Sequence, residues 1–159
     1  VVMTATPIPR SLALAQYGDM DMTRITGKPP GRQAIDTKAL PLARLDDVIA
    51  AVGRAVDRGE RVYWVCPLVE ENEEIDAKAA EARHAELGQI WGNKVGLMHG
   101  RMKAAEKDAA ISNFKSGQTA ILVSTTVIEV GVDVPEATVM IVEHAERFGL
   151  SQLHQLRGR

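Results

Sequence analysis

The sequence predicts an α/β fold with a mostly parallel central sheet covered by helices. Three observations carry that expectation. Helical and extended patterns alternate from about residue 44 onward. The extended stretches are continuous apolar runs, as expected of strands buried on both faces, and not the every-other-residue pattern of a half-exposed sheet. The polar residues with chemical promise fall just after those runs, where parallel sheets collect their chemistry.

Each element rests on local pattern. Val1-Val2-Met3 reads as an apolar strand, followed by a Thr-Ala-Thr turn, Pro7, Pro9 and a helix near Ser11–Tyr17 that Ser11 caps and Gly18 ends. Gly27-Lys28-Pro29-Pro30-Gly31-Arg32 continues neither helix nor central strand and reads as a boundary, with Lys28 and Arg32 in a solvated turn. Leu45, Val48, Ile49, Val52 and Val56 recur at helical spacing, which predicts a helix over Arg44–Arg58 stopped by Gly59. Arg61–Cys66 is β-branched and aromatic up to Pro67, a buried strand. A helix rich in Ala and Glu is expected near Glu73–Glu86, a short strand over Lys94–Met98, and a helix over Lys103–Lys115 with Ala110, Ile111 and Phe114 on one face. Ala120–Ser124 and Thr138–Glu143 are further apolar strands. Both ends read as cut, the first strand being entered partway and Leu156-Arg157-Gly158-Arg159 lacking a terminating signal.

Composition bounds the function. An apolar share of 45% in 159 residues supports one sizeable core, resting on aliphatic side chains because aromatics make up only 4%. With 19 Lys plus Arg against 21 Asp plus Glu, net charge does not draw the chain to nucleic acid, so any such contact must come from local patches. Cys66 is the single cysteine, which excludes an internal disulfide and zinc spacing; it reads as a buried small hydrophobe. No apolar stretch approaches the roughly 20 residues of a membrane span, and no secretory signal opens the sequence. A cytoplasmic location is the resulting expectation.

The candidate site residues lie after the strands. His99-Gly100-Arg101-Met102 follows one apolar run and opens a helix, and Ser124-Thr125-Thr126 follows another before Glu129-Val130-Gly131-Val132-Asp133. Hydroxyls and free backbone N–H groups at such a turn suit a phosphate. Gly131 admits close backbone approach, and Asp133 suits a ribose hydroxyl. Taken singly these are weak, since Ser or Thr before a helix is usually a cap and a lone His is usually ordinary. Gln152, Gln155, Arg157 and Arg159 crowd the final stretch with Leu153 and Leu156 at helical spacing; they are either a solvated helix face or arginines for phosphoryl transfer. The Glu70-Glu71-Asn72-Glu73-Glu74 run reads as a solvated helix start. The sequence holds no Gly-x-x-x-x-Gly-Lys-Ser/Thr loop and no Asp-Glu pair after an apolar strand, so no metal ligands are assigned and this stretch alone is not expected to turn over ATP.

Read together, these segments resemble a known family. Thr4-Ala5-Thr6-Pro7-Ile8-Pro9-Arg10 looks like helicase motif III of superfamily 2, Ser124–Pro135 resembles motif V, and Gln155-Leu156-Arg157-Gly158-Arg159 resembles the opening of motif VI. With Cys66-Pro67-Leu68-Val69-Glu70-Glu71, His99-Gly100-Arg101-Met102 and Glu146-Arg147-Phe148-Gly149-Leu150, the sequence is most similar to the RecG-type branched-DNA helicases. Transcription-repair coupling factors share the first and last motifs, while Tyr17-Gly18-Asp19 and the Val-Cys-Pro-Leu wording favour the RecG type. A non-motor nucleotide-binding or protein-interaction module is the remaining alternative.

The resemblance implies a RecA-like P-loop NTPase lobe, the second of two, in an ATP-dependent DNA helicase acting on stalled forks and Holliday junctions in recombination and repair. It implies that residues 1–21 are the tail of the first lobe, 22–43 the inter-lobe linker and the approach to the second lobe, and 44–159 that second lobe, ending within motif VI. Thr4, Ala5 and Thr6 would couple hydrolysis to lobe movement. His99, Gly100, Thr125 and Thr126 would lie along the DNA backbone, and Gly131 and Asp133 would face the nucleotide. Arg159 would reach the γ-phosphate, with Gln155 in the same motif. ATP and Mg²⁺ are implied for the full-length enzyme. Branched DNA, the first lobe and a wedge domain are the implied partners, in a bacterial, nucleoid-associated setting.

Overall fold

The computed structural model describes residues 34–68, 72–125 and 134–157. The chain divides into two compact units, Val1–Ala39 and Leu40–Arg159. In the first, only residues 34–39 are described, and they form neither helix nor strand. The expected first strand, the Ser11–Tyr17 helix and the Pro-rich boundary lie outside the described residues.

The second unit holds the elements α1 (Leu45–Asp57), β1 (Arg61–Cys66), α2 (Glu73–Trp91), β2 (Val95–Met98), α3 (Ala104–Ser116), β3 (Ile121–Thr125), β4 (Ala137–Val142) and α4 (Leu150–Arg157). Among the described residues the sheet has four strands in the order β2-β3-β1-β4, and each of its three pairings is parallel. The expected α/β class and strand positions hold to within a residue or two.

Side-chain alternation along β1 divides the core into two layers. Val62, Trp64 and Cys66 point to the face covered by Val52 and Ala55 of α1 and by Ala80 and Leu87 of α2. Tyr63 and Val65 point to the opposite face, where Phe114 of α3 and Leu156 of α4 are buried. The rings of Tyr63 and Phe114 meet at a centroid distance of 4.8 Å, tilted by 55°. Burying each such large side chain stabilises the fold by about 1.5–3 kcal/mol relative to leaving it in water. The inner strands β1 and β3 are buried almost throughout, whereas β4, at the sheet edge, is mostly half-buried.

Local chemistry sets the helix ends. The Asn72 side chain accepts from the Glu74 N–H at 3.0 Å and caps α2, whose first turn carries Glu73, Glu74 and Asp76 on the favourable side of the helix dipole. Glu106 reaches back to the Lys103 N–H at 2.8 Å to begin α3, and Gln152 does the same to the Gly149 N–H at 3.0 Å to begin α4. The helix α2 runs five residues beyond its expected end at Glu86. It continues through Gly88 because Leu87 is fully buried against the sheet, and it stops at Gly92, which adopts a φ of +59°. His84, within the expected span, ties α2 to the sheet, its Nε2 lying 3.0 Å from the Val95 carbonyl of β2.

Candidate nucleotide and nucleic-acid interface

Parallel pairing brings the carboxyl ends of all four strands to one edge. Met98 of β2 is in register with Ser124 of β3, Cys66 of β1 with Thr125, and Val65 with Val142 of β4. His99 and Thr125 each lie one position beyond that Met98–Ser124 pair, so two of the residues expected to contact DNA sit side by side.

Both are buried. His99 is 7% exposed, with Nε2 at 3.3 Å from a Glu81 carboxylate oxygen on α2. Its carbonyl accepts from the Met102 N–H at 3.2 Å, closing the turn into α3. Thr125 is 2% exposed and Ser124 wholly buried. Among the described residues, His99 Nδ1, Ser124 Oγ and Thr125 Oγ1 are buried without a hydrogen bond. A buried polar atom left unpaired costs about 1–3 kcal/mol, and these three lie together at the ends of two neighbouring strands.

Gly100 follows on the same edge. Its carbonyl accepts from Lys107 Nζ at 2.9 Å. A Cβ added there would come no nearer than 3.9 Å to the Glu73 carboxyl group, so internal packing does not demand glycine at this position. Close approach of a ligand to the backbone would.

Gln155 lies on α4 beside Leu156, on the Phe114 face of the sheet. Thr4, Ala5, Thr6, Thr126, Gly131, Asp133 and Arg159 lie outside the described residues. Among the described residues, no group of three or more His, Cys, Asp or Glu side chains is placed to hold a metal ion. No helix among them is long and apolar enough to cross a membrane.

A second cluster, unforeseen in the sequence, occupies the other half of the edge. Glu143 directly follows β4, and its N–H donates to the Val65 carbonyl at 3.0 Å. Its carboxylate accepts from Trp64 Nε1–H at 2.8 Å and forms a close ion pair, 2.5 Å, with Arg83 of α2. Arg83 also pairs with Glu86 and places its guanidinium carbon 5.6 Å from the Trp64 ring centroid. These groups border a cavity of about 290 Å³ lined in part by Cys66, Pro67, Arg83, Glu143, His144 and Arg147. Burial, and then the Glu143 charge, push the Cys66 thiol up to about 12, partly offset by Arg83. The expected buried cysteine is what the fold contains. The one available sequence signal for this cluster was a tryptophan within a strand, whose indole N–H needs an acceptor when buried; nothing in spacing identified Glu143 as that acceptor.

Comparison with known proteins places the fold in context. The model of the helicase conserved C-terminal domain matches residues 42–159. The chain is 52% identical over 160 residues to the ATP-dependent DNA helicase RecG of Acidithiobacillus ferridurans, and 53% identical over 161 residues to that of Escherichia coli (strain K12). Each comparison covers 100% of this chain but 23% of the relative, so the chain spans about a quarter of their length. A solved structure of RecG bound to a three-way DNA junction superposes with a TM-score of 0.77 at 49% identity, covering 98% of this chain and 20% of that one. The fold is thus a RecA-like lobe of the helicase C-terminal type.

Proposed function

The chain belongs to the helicase conserved C-terminal domain family, and from that premise we propose that it is the second motor lobe of an ATP-dependent DNA helicase that remodels branched DNA in recombination and repair. The observation that carries this reading is identity of about half along the whole chain to RecG proteins, together with its likeness to a RecG structure bound to a three-way junction. The paired ends of β2 and β3 support it from the physical side. Ser124, Thr125 and His99 hold buried polar atoms without partners among the described residues, and Gly100 leaves backbone open to approach.

In this reading His99, Gly100, Thr125 and Thr126 line the DNA backbone. Because the His99 ring is buried against Glu81, its part is to shape the turn that presents Gly100, more than to meet DNA with its ring. Gly131, Asp133 and Arg159 face ATP, Gln155 belongs to the same catalytic segment, and Thr4, Ala5 and Thr6 couple the two lobes. The phosphate-binding loop and the Mg²⁺ ligands belong to the first lobe. Residues 1–21 are the tail of that lobe, 22–43 the inter-lobe linker and the entry to the second lobe, and 44–159 the second lobe. Its partners in the full-length protein are the first lobe, a wedge domain and branched DNA, and its working place is the nucleoid of a bacterial cytoplasm.

The test is strand separation of a labelled three-way DNA junction by the full-length protein. ATP-dependent conversion to two-stranded products is the expected outcome. A protein that leaves the junction intact while remaining folded and able to bind ATP overturns the assignment.

A further inference from the structure

The geometry points to Glu143 as a positioning residue for α4, the helix that carries Gln155, an inference that rests on the motor reading above. Glu143, directly after β4, is tied to β1 twice, through Trp64 Nε1–H at 2.8 Å and through its own N–H to the Val65 carbonyl at 3.0 Å, and to α2 through the Arg83 ion pair at 2.5 Å. Its side chain is only 11% exposed. Arg83 is itself constrained by Glu86 and by stacking over Trp64, so the clamp has little freedom.

The next residue in the chain gives the clamp its consequence. His144 adopts φ 47°, ψ 50°, the one non-glycine residue with positive φ among those described. That conformation costs an ordinary side chain about 1–2 kcal/mol and persists only where neighbours hold it. His144 turns the chain from the end of β4 into a short 3-10 turn at Ala145–Arg147 and then into α4, which carries Gln155 and ends at Arg157, two positions before Arg159 in the sequence. The direction in which this segment leaves the sheet is therefore set one residue after the clamp. Glu143 need touch neither nucleotide nor DNA; it acts through the placement of α4. Misplacement of a catalytic group by as little as 1 Å can cost about a hundredfold in rate.

The experiment measures ATP hydrolysis by the full-length protein, stimulated by a three-way DNA junction, for wild type, Glu143→Ala, Glu143→Gln, Trp64→Phe and Arg159→Ala, with the melting temperature of each. Glu143→Ala is expected to lower kcat roughly 10–100-fold, with KM for ATP and junction affinity within about twofold of wild type. Glu143→Gln keeps an acceptor for the indole and is expected to recover part of that loss. Wild-type kcat in Glu143→Ala overturns the inference, as does a loss that merely tracks the unfolded fraction or a matching rise in KM. Should Glu143→Ala fail to fold, Glu143→Gln and Trp64→Phe decide, since each removes one contact; wild-type kcat in both overturns it. Unchanged turnover in Arg159→Ala would instead sink the motor reading and this inference with it, whereas an inactive Arg159→Ala beside a fully active Glu143→Ala sinks the inference alone.

Discussion

The indole N–H of Trp64 donates to the carboxylate of Glu143 across 2.8 Å, tying the buried strand β1 to the end of the edge strand β4. A hydrogen bond to a charged acceptor contributes about 1.5–3 kcal/mol. Trp64→Phe keeps an aromatic ring under Arg83 but removes the donor. It is expected to lower stability by about 1.5–3 kcal/mol, seen in urea unfolding as a lower midpoint with unchanged slope. An unchanged midpoint would show that the bond contributes nothing net.

Thr125→Val should separate stability from function. The substitution preserves shape while removing a buried hydroxyl that has no hydrogen bond among the described residues. Stability is expected to hold or rise by up to about 1 kcal/mol, while junction affinity and DNA-stimulated hydrolysis of the full-length protein fall. Binding and melting curves on the same variant check this. Lost stability with intact DNA binding would make Thr125 an ordinary core residue.

Cys66 should be inert toward thiol reagents in the folded chain at pH 8 and reactive in urea, because burial holds its thiol up to about 12 against an ordinary 9.0. Linkage gives the sign of the pH effect. A raised folded-state value leaves the contribution fully present below pH 9 and removes it progressively as pH rises from 9 toward 12. Cys66→Ala should therefore flatten the alkaline part of a stability–pH curve. Rapid labelling of native protein at pH 8 would contradict the burial.

Two glycines offer an internal control. Gly59 and Gly117 have similar φ values, +82° and +84°, but a Cβ at Gly59 meets nothing within 4 Å, whereas one at Gly117 meets Arg61 Nη2 at 3.1 Å. Arg61 cannot easily yield, since it donates to the Lys115 carbonyl at 2.6 Å. Gly59→Ala should cost about 1 kcal/mol from backbone conformation alone, and Gly117→Ala clearly more. Equal losses in paired unfolding curves would show that Arg61 moves aside freely.

The fold was legible because its strands are local signals. Arg61–Cys66 announces itself by β-branched and aromatic residues before Pro67, and it is the β1 of the structure without change. The end of α2 was not, because Gly88 resembles a stop until Leu87 is seen buried against the sheet. His99, Gly100 and Thr125, proposed to lie along DNA, were named from motif and strand-end position, and the parallel register puts His99 and Thr125 each one position beyond the Met98–Ser124 pair. Burial of the His99 ring against Glu81 was not readable, since that contact joins β2 to a helix earlier in the chain. The Trp64–Glu143–Arg83 cluster was invisible for the same reason: its members are separated by up to 79 positions and meet only through sheet order.

DNA-stimulated ATP hydrolysis by the full-length protein carrying Arg159→Ala tests the motor assignment most directly. Losing a catalytic arginine that acts on the transferring phosphate should lower turnover by roughly 10³-fold or more, while ATP and junction binding largely survive. Wild-type turnover in that variant would contradict the assignment of this chain as the lobe that supplies the arginine.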